Sequence, residues 1–227
     1  MSAHLDHLVV AARTLDEGVS WCEATLGVTP GPGGRHGLMG THNRVFSLAS
    51  PLFPRAYFEI IAIDPQAAAP PRRRWFDLDS PALQEALKEG PRLVHWVLRC
   101  DDIDERCARL RAAGIHRGEV LAAERDTPQG LLRWRISVRD DGSRLFDGAL
   151  PTLIAWGERH PADTLPASGV TLESLSVAGL PAAARPACHV AGVAMVDAGA
   201  PLLARLSTPR GPLILQAPSL ESPHVQR

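Results

Sequence analysis

Two histidines and one glutamate stand in apolar segments where polar side chains are costly. His7 lies in LDHLVVAA, His95 in LVHWVLRC and Glu59 in YFEIIAI. A carboxylate among apolar neighbours is unfavourable unless a cation or a hydrogen-bond donor accompanies it. Two imidazoles and one carboxylate are the ligand set typical of an open divalent-metal site for Zn, Fe, Mn, Ni or Co. These residues therefore predict a metal site; the alternative is that the histidines hydrogen-bond within a core and that Glu59 meets an arginine.

A second polar cluster, RHGLMGTHNRVF, holds His36, Thr41 and Asn43. Its imidazole, hydroxyl and amide groups would suit the orientation of a substrate at the edge of a cleft. We expect Thr41 and Asn43 to bind substrate and His36 to act as the catalytic proton-transfer group. The alternative is a turn in which Thr41 and Asn43 bond the local backbone.

The elements that must position these residues occur twice along the chain. His7 and His95 are 88 residues apart, and the glycines that end the two predicted helices, Gly27 and Gly114, are 87 residues apart. Such agreement indicates an internal repeat, each copy of which runs strand, helix, three strands. The first copy has predicted strands at 4–12, 36–41, 43–49 and 56–63, and the second at 93–100, 119–125, 131–138 and 150–156. The last strands align Glu59 with Thr152.

The predicted fold class is α+β, with paired βαβββ modules that curl into a curved mixed-sheet cup. The first-strand histidines and Glu59 would converge in this cup. We expect residues 1–64 to form the first module, 65–91 a linker with a short helix, and 92–157 the second module. Residues 158–227 are predicted as a smaller β-rich segment that resembles a truncated third module, limits access to the cup and ends in a frayed tail.

Composition restricts the classes of partner. The 227 residues carry 24 Lys and Arg against 25 Asp and Glu, a balance that disfavours a general nucleic-acid binder. No apolar run is long enough to span a membrane and the first residues do not resemble a signal peptide, so we expect a cytoplasmic protein with a small-molecule partner. Paired modules can complete a cup within one chain or between two, which allows a monomer or a homodimer.

Several segments in combination resemble the glyoxalase-like domain of the vicinal oxygen chelate superfamily. They are DHLVVAA, GTHN, YFEIIAID, VHWVLR and LPTLIAWGERHPA. The superfamily includes glyoxalase I, extradiol dioxygenases, methylmalonyl-CoA epimerase and the fosfomycin and bleomycin resistance proteins. The resemblance implies a cup around a divalent metal, with ligands on the first and last strands of each module. Those positions fall on His7, Glu59, His95 and Thr152, and the threonine departs from the four-ligand glyoxalase I pattern.

The function that the resemblance implies is a metal-dependent enzyme acting on a small substrate with vicinal oxygens, of isomerase, lyase or oxygenase type. The alternative is a metal-free small-molecule binding or resistance protein of the same fold. The few aromatic residues of the chain, five Trp, one Tyr and five Phe, weakly disfavour an aromatic-lined ligand trap.

Overall fold

The computed structural model describes residues 3–218, which form twelve strands and four α-helices. The strands are β1 (Ala3–Ala11), β2 (Gly31–His36), β3 (Thr41–Ser47), β4 (Tyr57–Ile63), β5 (Arg92–Cys100), β6 (Glu119–Thr127), β7 (Gly130–Val138), β8 (Thr152–Trp156), β9 (Thr171–Ala178), β10 (Val193–Val196), β11 (Leu202–Thr208) and β12 (Gly211–Gln216). The helices are α1 (Leu15–Thr25), α2 (Pro81–Ala86), α3 (Ile103–Ala112) and α4 (Arg185–Cys188). The predicted frayed tail at 219–227 lies outside the described residues.

Eight strands form one curved sheet in the order β2-β3-β4-β1-β5-β8-β7-β6. Each βαβββ module contributes four neighbouring strands in the same relative order, and the antiparallel pair of β1 and β5 joins the modules. The outermost strands β2 and β6 approach each other across the open side, so the sheet is nearly closed. The predicted α+β fold with paired modules is confirmed.

The register of the central strands confirms the alignment of Glu59 with Thr152. In the first module Val9 pairs with Glu59, in parallel, and in the second module Val97 pairs with Thr152, also in parallel. Val97 lies 88 residues after Val9, the same interval that separates the two histidines. The two modules therefore place Glu59 and Thr152 at equivalent positions on either side of the β1–β5 pair.

Helix α1 shows how the local sequence shapes each module. The side chain of Thr14 accepts a hydrogen bond from the amide of Glu17 and so caps the first turn. Gly27 ends the helix with φ +73, a conformation that favours glycine. At Gly18 an added Cβ would collide with Ile60 of β4, so the glycine lets the helix lie directly on the sheet.

The two faces of the eight-stranded sheet have different partners. Along β1, Leu8 and Val10 point to a core shared with the helices and with a second sheet, whereas His7 and Val9 point to the concave face. This alternation follows from the two-residue period of a strand. The concave face holds the candidate site, and the convex face supplies most of the apolar burial.

Strands β9 to β12 form a separate four-stranded sheet in the order β10-β9-β11-β12. The smaller C-terminal β-rich segment is thus confirmed. Its order of elements, strand, helix and three strands, matches that of a module. Its first strand, β9, however pairs in parallel with β10, the next strand, whereas in the first module β1 pairs in parallel with β4, the last strand. Leu172, Leu175 and Leu206 pack into the core behind the eight-stranded sheet. The expectation that this segment limits access to the cup is therefore wrong for the four strands, which cover the convex face.

The prediction of a strand at 36–41 is also wrong. The strand is β2, which begins at Gly31 within a segment rich in Gly and Pro, and residues 37–40 form the turn into β3. An edge strand tolerates this composition because one side of its backbone needs no ladder partner, and the register shift after Pro32 accommodates the proline. Within residues 3–218, no helix is long and apolar enough to cross a membrane.

Candidate functional site

His7 and Glu59 meet on the floor of the concave face. The Nε2 atom of His7 lies 3.4 Å from Oε2 of Glu59, and both side chains are about 95% buried, each with a relative exposure of 5%. They border a small cavity of about 40 Å³ that also touches His36 and Asn43. Sequence-predicted residues from β1, β2, β3 and β4 thus come together in one place.

Asp6 fixes the other side of the His7 ring. Its Oδ1 lies 2.6 Å from Nδ1 of His7, and its Oδ2 accepts hydrogen bonds from Trp156 at 2.9 Å and from His160 at 2.8 Å. Asp6 is the extra residue of a β-bulge in β1, between the paired positions of Leu5 and His7. The bulge interrupts the normal alternation of faces and allows a carboxylate to orient its neighbour in sequence.

The charges of this cluster stabilise one another. Burial would lower the pKa of His7, but contacts with Asp6 and Glu59 outweigh it and raise the pKa to about 9. Burial would raise the pKa of Glu59, but His7 and Asn43 lower it to about 2. The pKa of Asp6 likewise lies below its usual range because hydrogen bonds from His160 and His7 outweigh its burial. At neutral pH the site holds an imidazolium between two carboxylates.

Asn43 links Glu59 to His36. Its Nδ2 donates to Oε1 of Glu59 at 2.6 Å and lies 3.4 Å from Nε2 of His36, while its Oδ1 accepts from the amide of Gly34 at 2.7 Å. On its far side, Nδ1 of His36 lies 3.0 Å from the Thr41 hydroxyl. Asn43 and His36 border the cavity, whereas Thr41 acts through His36 and does not border it.

His36 is uncharged at neutral pH. Burial is the main reason that its pKa falls to about 4, and the nearby charge of Arg125 lowers it further, although Glu59 acts in the opposite direction. A neutral imidazole can accept the Asn43 amide at Nε2 and donate to Thr41 from Nδ1. The ring is thus held in one tautomer.

His95 does not reach this cluster. Its Nε2 lies 3.0 Å from the Thr152 hydroxyl and accepts a hydrogen bond from the Thr152 amide at 3.1 Å. Arg117 donates to the same hydroxyl and to the carbonyl of Pro151. Burial and the charges of Arg117 and Arg144 hold the pKa of His95 well below its usual range. The second module therefore has a neutral, buried histidine where the first has a charged one.

Residues of the linker separate His95 from the cavity. The ring of Phe76 lies 5.1 Å from that of His95, and Trp75 stacks on Phe76 at 5.3 Å. Phe76 and Asp77 both have φ +59, a left-handed conformation that is costly for residues other than glycine. Asp77 accepts a hydrogen bond from Nε of Arg144 at 2.8 Å, which holds the strained turn in place. The linker thus covers His95 on the concave face of the second module.

The predicted metal-ligand set of His7, Glu59 and His95 fits this arrangement only in part. Asp6 orients His7 as outer carboxylates orient metal-binding histidines, and Glu59 faces the same cavity. Across residues 3–218, however, no three His, Cys, Asp or Glu side chains are grouped so that they could hold a metal ion. His95 would have to leave Thr152 and pass Phe76 to join the pair. The three-ligand site stays a prediction.

Aromatic side chains line much of the remaining wall. Five border the cavity: Tyr57, Trp75, Phe76, Trp134 and Trp156. These five are almost half of the eleven aromatic residues of the chain. The low aromatic content of the sequence therefore did not reveal that so many of them lie at one cavity. A larger cleft of about 580 Å³ opens beyond Val45, Arg125 and Leu132, which border both spaces. The outer cleft is therefore adjacent to the cavity.

Sequence reasoning missed Asp6, His160, Trp75 and Phe76. The repeat contained a sequence signal for Asp6. When LDHL of the first module is aligned with LVHW of the second, Asp6 corresponds to Val94. Because a carboxylate precedes His7 but not the equivalent His95, the two histidines are expected to have different roles. Trp75 and Phe76 lie in a linker outside the repeat, which offers no such comparison.

Comparison with protein families identifies one match. The model of a family described as a glyoxalase-like domain matches residues 5–189, most of the chain. Comparison with curated proteins finds no match.

Comparison with solved structures finds similar chains at low sequence identity. A hypothetical protein from Staphylococcus aureus is 18% identical, with 78% of this chain and 70% of that chain covered and a TM-score of 0.52. A methylmalonyl-CoA epimerase from Streptomyces coelicolor, in complex with 2-nitronate-propionyl-CoA, is 19% identical, with 70% and 99% covered and a TM-score of 0.43. The epimerase from Mycobacterium tuberculosis is 18% identical, with 67% and 86% covered and a TM-score of 0.38. The Staphylococcus aureus protein, whose TM-score exceeds 0.5, supports the fold alone.

Proposed function

Because this chain belongs to the family of glyoxalase-like domain proteins, we propose that it is an enzyme that transfers a proton to or from a small substrate with vicinal oxygens. The reaction is of isomerase type, with a C–H bond next to a carbonyl as the reacting group. The observation that carries the proposal is the contact between Nε2 of His7 and Oε2 of Glu59 at a cavity wall. An acid, His7, and a base, Glu59, are thus held in fixed positions beside the same cavity.

Glu59 is the group that removes the proton. Its carboxylate is ionised, and Asn43 holds one oxygen so that the other faces His7. Contact with His7 lowers the basicity of that oxygen. When a substrate binds, its carbonyl oxygen would accept the hydrogen bond from Nε2 of His7 in place of Glu59. Glu59 would then lose its contact with His7, and its basicity would rise.

His7 stabilises the oxyanion that forms when the substrate loses its proton. An imidazolium in a buried site interacts strongly with a developing negative charge, because little water screens it. Asp6 keeps the ring charged and in one orientation. Asn43 positions Glu59, and His36, which also borders the cavity, is a second group that would transfer a proton.

The metal dependence that the resemblance implies stays a prediction, and it is an alternative to the imidazolium, because an ion bound at Nε2 of His7 would take the place of the proton on that atom. Zn, Fe, Mn, Ni and Co all bind imidazole and carboxylate, and His7 and Glu59 are the two residues that would hold the ion. The third predicted ligand, His95, is engaged by Thr152 instead.

Solvent exchange tests the proposal without knowledge of the product. Protein supplied with each divalent metal in turn, or with EDTA, is incubated in D₂O with α-keto aldehydes, their thiol adducts and α-hydroxy acids, and deuterium uptake is followed by NMR. We expect exchange at the carbon next to the carbonyl of at least one compound. The Glu59→Gln variant should exchange about 100-fold more slowly, the loss typical of a missing general base.

Glu124→Gln provides the matched control. Glu124 lies on the exposed side of β6 and pairs with Arg133 at 3.0 Å, so its loss should leave the exchange rate unchanged. If Glu59→Gln exchanges as fast as wild type, or if no compound of the set exchanges under any metal condition, the proposal is wrong.

The aromatic wall favours a second candidate function, a binding or resistance protein of the same fold. Trp134 and Trp156 contact each other, with ring centres 5.6 Å apart, and form part of the cavity wall, on which a planar ligand could stack. This candidate predicts saturable quenching of tryptophan fluorescence by a ligand that is recovered unchanged. It also predicts that Glu59→Gln binds the ligand as well as wild type.

A further inference from the structure

Arg125 stands where the inner cavity meets the outer cleft. It is a half-buried residue of the edge strand β6, and its side chain borders both spaces. The guanidinium reaches the opposite edge of the sheet and lies over Gly34 of β2, where an added Cβ would collide with Nη1. The absence of a side chain at Gly34 therefore makes room for the Arg125 cation.

No described residue neutralises this cation. Its Nε and Nη1 are buried and have no hydrogen-bond partner within residues 3–218. Glu124 and Asp126 point to the exposed side of the same strand, and Glu59, in the same cavity, is engaged by Asn43 and His7. A guanidinium stays charged, and buried N–H groups without an acceptor are costly. An acceptor from outside the chain would remove this cost.

Other arginines near the cup have partners of their own. Arg144 bonds Asp77, and Arg117 bonds the Thr152 hydroxyl and the carbonyl of Pro151. Arg159, at the outer cleft, donates to the carbonyl of Gln129. Arg125 differs from them because its unpartnered atoms lie beside the space that a ligand would occupy.

We propose that Arg125 binds a carboxylate of the ligand, so that the cup takes a small organic monoanion with its reacting carbon at Glu59 and the rest of the molecule in the outer cleft. This inference rests on the proposed function for the position of the reacting carbon. A carboxylate matches the observations because one cation serves the junction and two of its nitrogens, Nε and Nη1, lack an acceptor among the described residues. The two oxygens of one carboxylate can accept from both.

Matched pairs of acid and amide test this inference. Lactate with lactamide, and mandelate with mandelamide, differ in the charge but hardly in shape. Their binding is followed by the fluorescence of Trp75, Trp134 and Trp156, which border the cavity. In wild type we expect at least one acid to bind about 10-fold more tightly than its amide, the scale of one charge-assisted hydrogen bond.

Variants test whether Arg125 causes the preference for an acid over its amide. Arg125→Gln should abolish it, Arg125→Lys should retain part of it, and Gly34→Ala should weaken it by displacing the guanidinium without removing its charge. Arg133→Gln on β7, an exposed residue paired with Glu124, is the control and should keep the full preference. Thermal unfolding of each variant shows whether it is folded.

The outcomes separate the two proposals. If wild type prefers no acid over its amide, or if Arg125→Gln keeps the preference, the carboxylate site is wrong even where deuterium exchange occurs. Glu59→Gln should keep the preference for acids while losing exchange. Arg125-dependent binding without any exchange would leave the carboxylate site established and overturn the proposed function.

Discussion

Asp6 and His160 are 154 positions apart in the sequence, yet Nε2 of His160 lies 2.8 Å from Oδ2 of Asp6. The same carboxylate holds His7 through its other oxygen. His160 in turn is fixed by the turn that follows it, where Nδ1 accepts from the Ala162 amide at 3.0 Å. The segment after the second module therefore helps to determine the charge and orientation of a residue in the first strand.

Replacing Asp6 should alter His7 directly. In Asp6→Asn, His7 loses one of the two carboxylates that stabilise its charged form, so its pKa should fall by about 1 unit or more. NMR titration of the imidazole protons, with EDTA present to remove metal, measures this change. Asp126→Asn, on the exposed side of β6, is the control. A His7 titration that is the same in Asp6→Asn and wild type would contradict the assigned role of Asp6.

His36 should make stability depend on pH on the acid side. The unfolded chain protonates this residue near its ordinary pKa of about 6.5, whereas the folded chain does so only near 4. Between these values the unfolded state binds the additional proton. As the pH falls from 6.5 to 4, His36 alone should therefore reduce the free energy of unfolding by about 1.4 kcal/mol per pH unit.

Urea unfolding across this pH range checks the contribution of His36. His36→Gln, which retains a side-chain acceptor and donor, should show a shallower loss of stability than wild type by that amount. His116→Gln removes an exposed histidine and should leave the slope of wild type unchanged. Equal slopes in wild type and His36→Gln would show that His36 is not held neutral in the folded protein.

Metal content should distinguish the three predicted ligands. Protein purified without a His tag and loaded with Zn²⁺ should retain about one ion per chain if the site is of the family type. The combined His7→Ala and Glu59→Ala changes should abolish retention, whereas His95→Gln should preserve it because His95 is engaged by Thr152. Loss of metal in His95→Gln would mean that metal binding draws this ring past Phe76 and completes the three-ligand set. Equal metal content in the double variant and wild type would refute the ligand prediction.

Deletion of the C-terminal sheet should destabilise the protein before it affects the site. Leu172, Leu175 and Leu206 are fully buried in the core behind the eight-stranded sheet. A chain that ends near residue 165 would expose the apolar surface that they cover, and a soluble protein rarely tolerates a patch of that kind. We expect such a chain to aggregate or to unfold at a temperature at least about 10 °C lower. A soluble, equally stable protein would contradict this packing role.

Much of the fold follows from the repeat in the sequence. The equivalence of Glu59 with Thr152 is confirmed because Val9 pairs with Glu59 and the equivalent Val97 pairs with Thr152. A two-residue period fixes which positions of neighbouring strands face each other. The strand at Gly31 was missed because local preference opposes it. Its place at the sheet edge, which only the tertiary structure reveals, makes Gly and Pro acceptable there.

The site was predicted less completely than the fold. The structure brings His7 and Glu59 together with His36 and Asn43 of the second polar cluster, since all four lie on adjacent strands of one module. The position of His95 depends on Phe76, which enters from the linker through a strained turn, and no periodic pattern predicts such a turn. The long-range contact of Asp6 with His160 likewise depends on where a loop returns to the sheet.

The bulge at Asp6 has a consequence for stoichiometry. Its counterpart in the second module is Val94, also the unpaired residue of a register shift beside a histidine. Two symmetrical half-sites would bind two ligands, or one ligand on the axis between them. In this chain the first module carries the charged pair of His7 and Glu59. In the second module Phe76 covers the equivalent histidine, and the uncharged Thr152 replaces the glutamate. Within residues 3–218 the cup therefore offers one ligand position, and calorimetric titration should saturate at a ratio of about one ligand per chain.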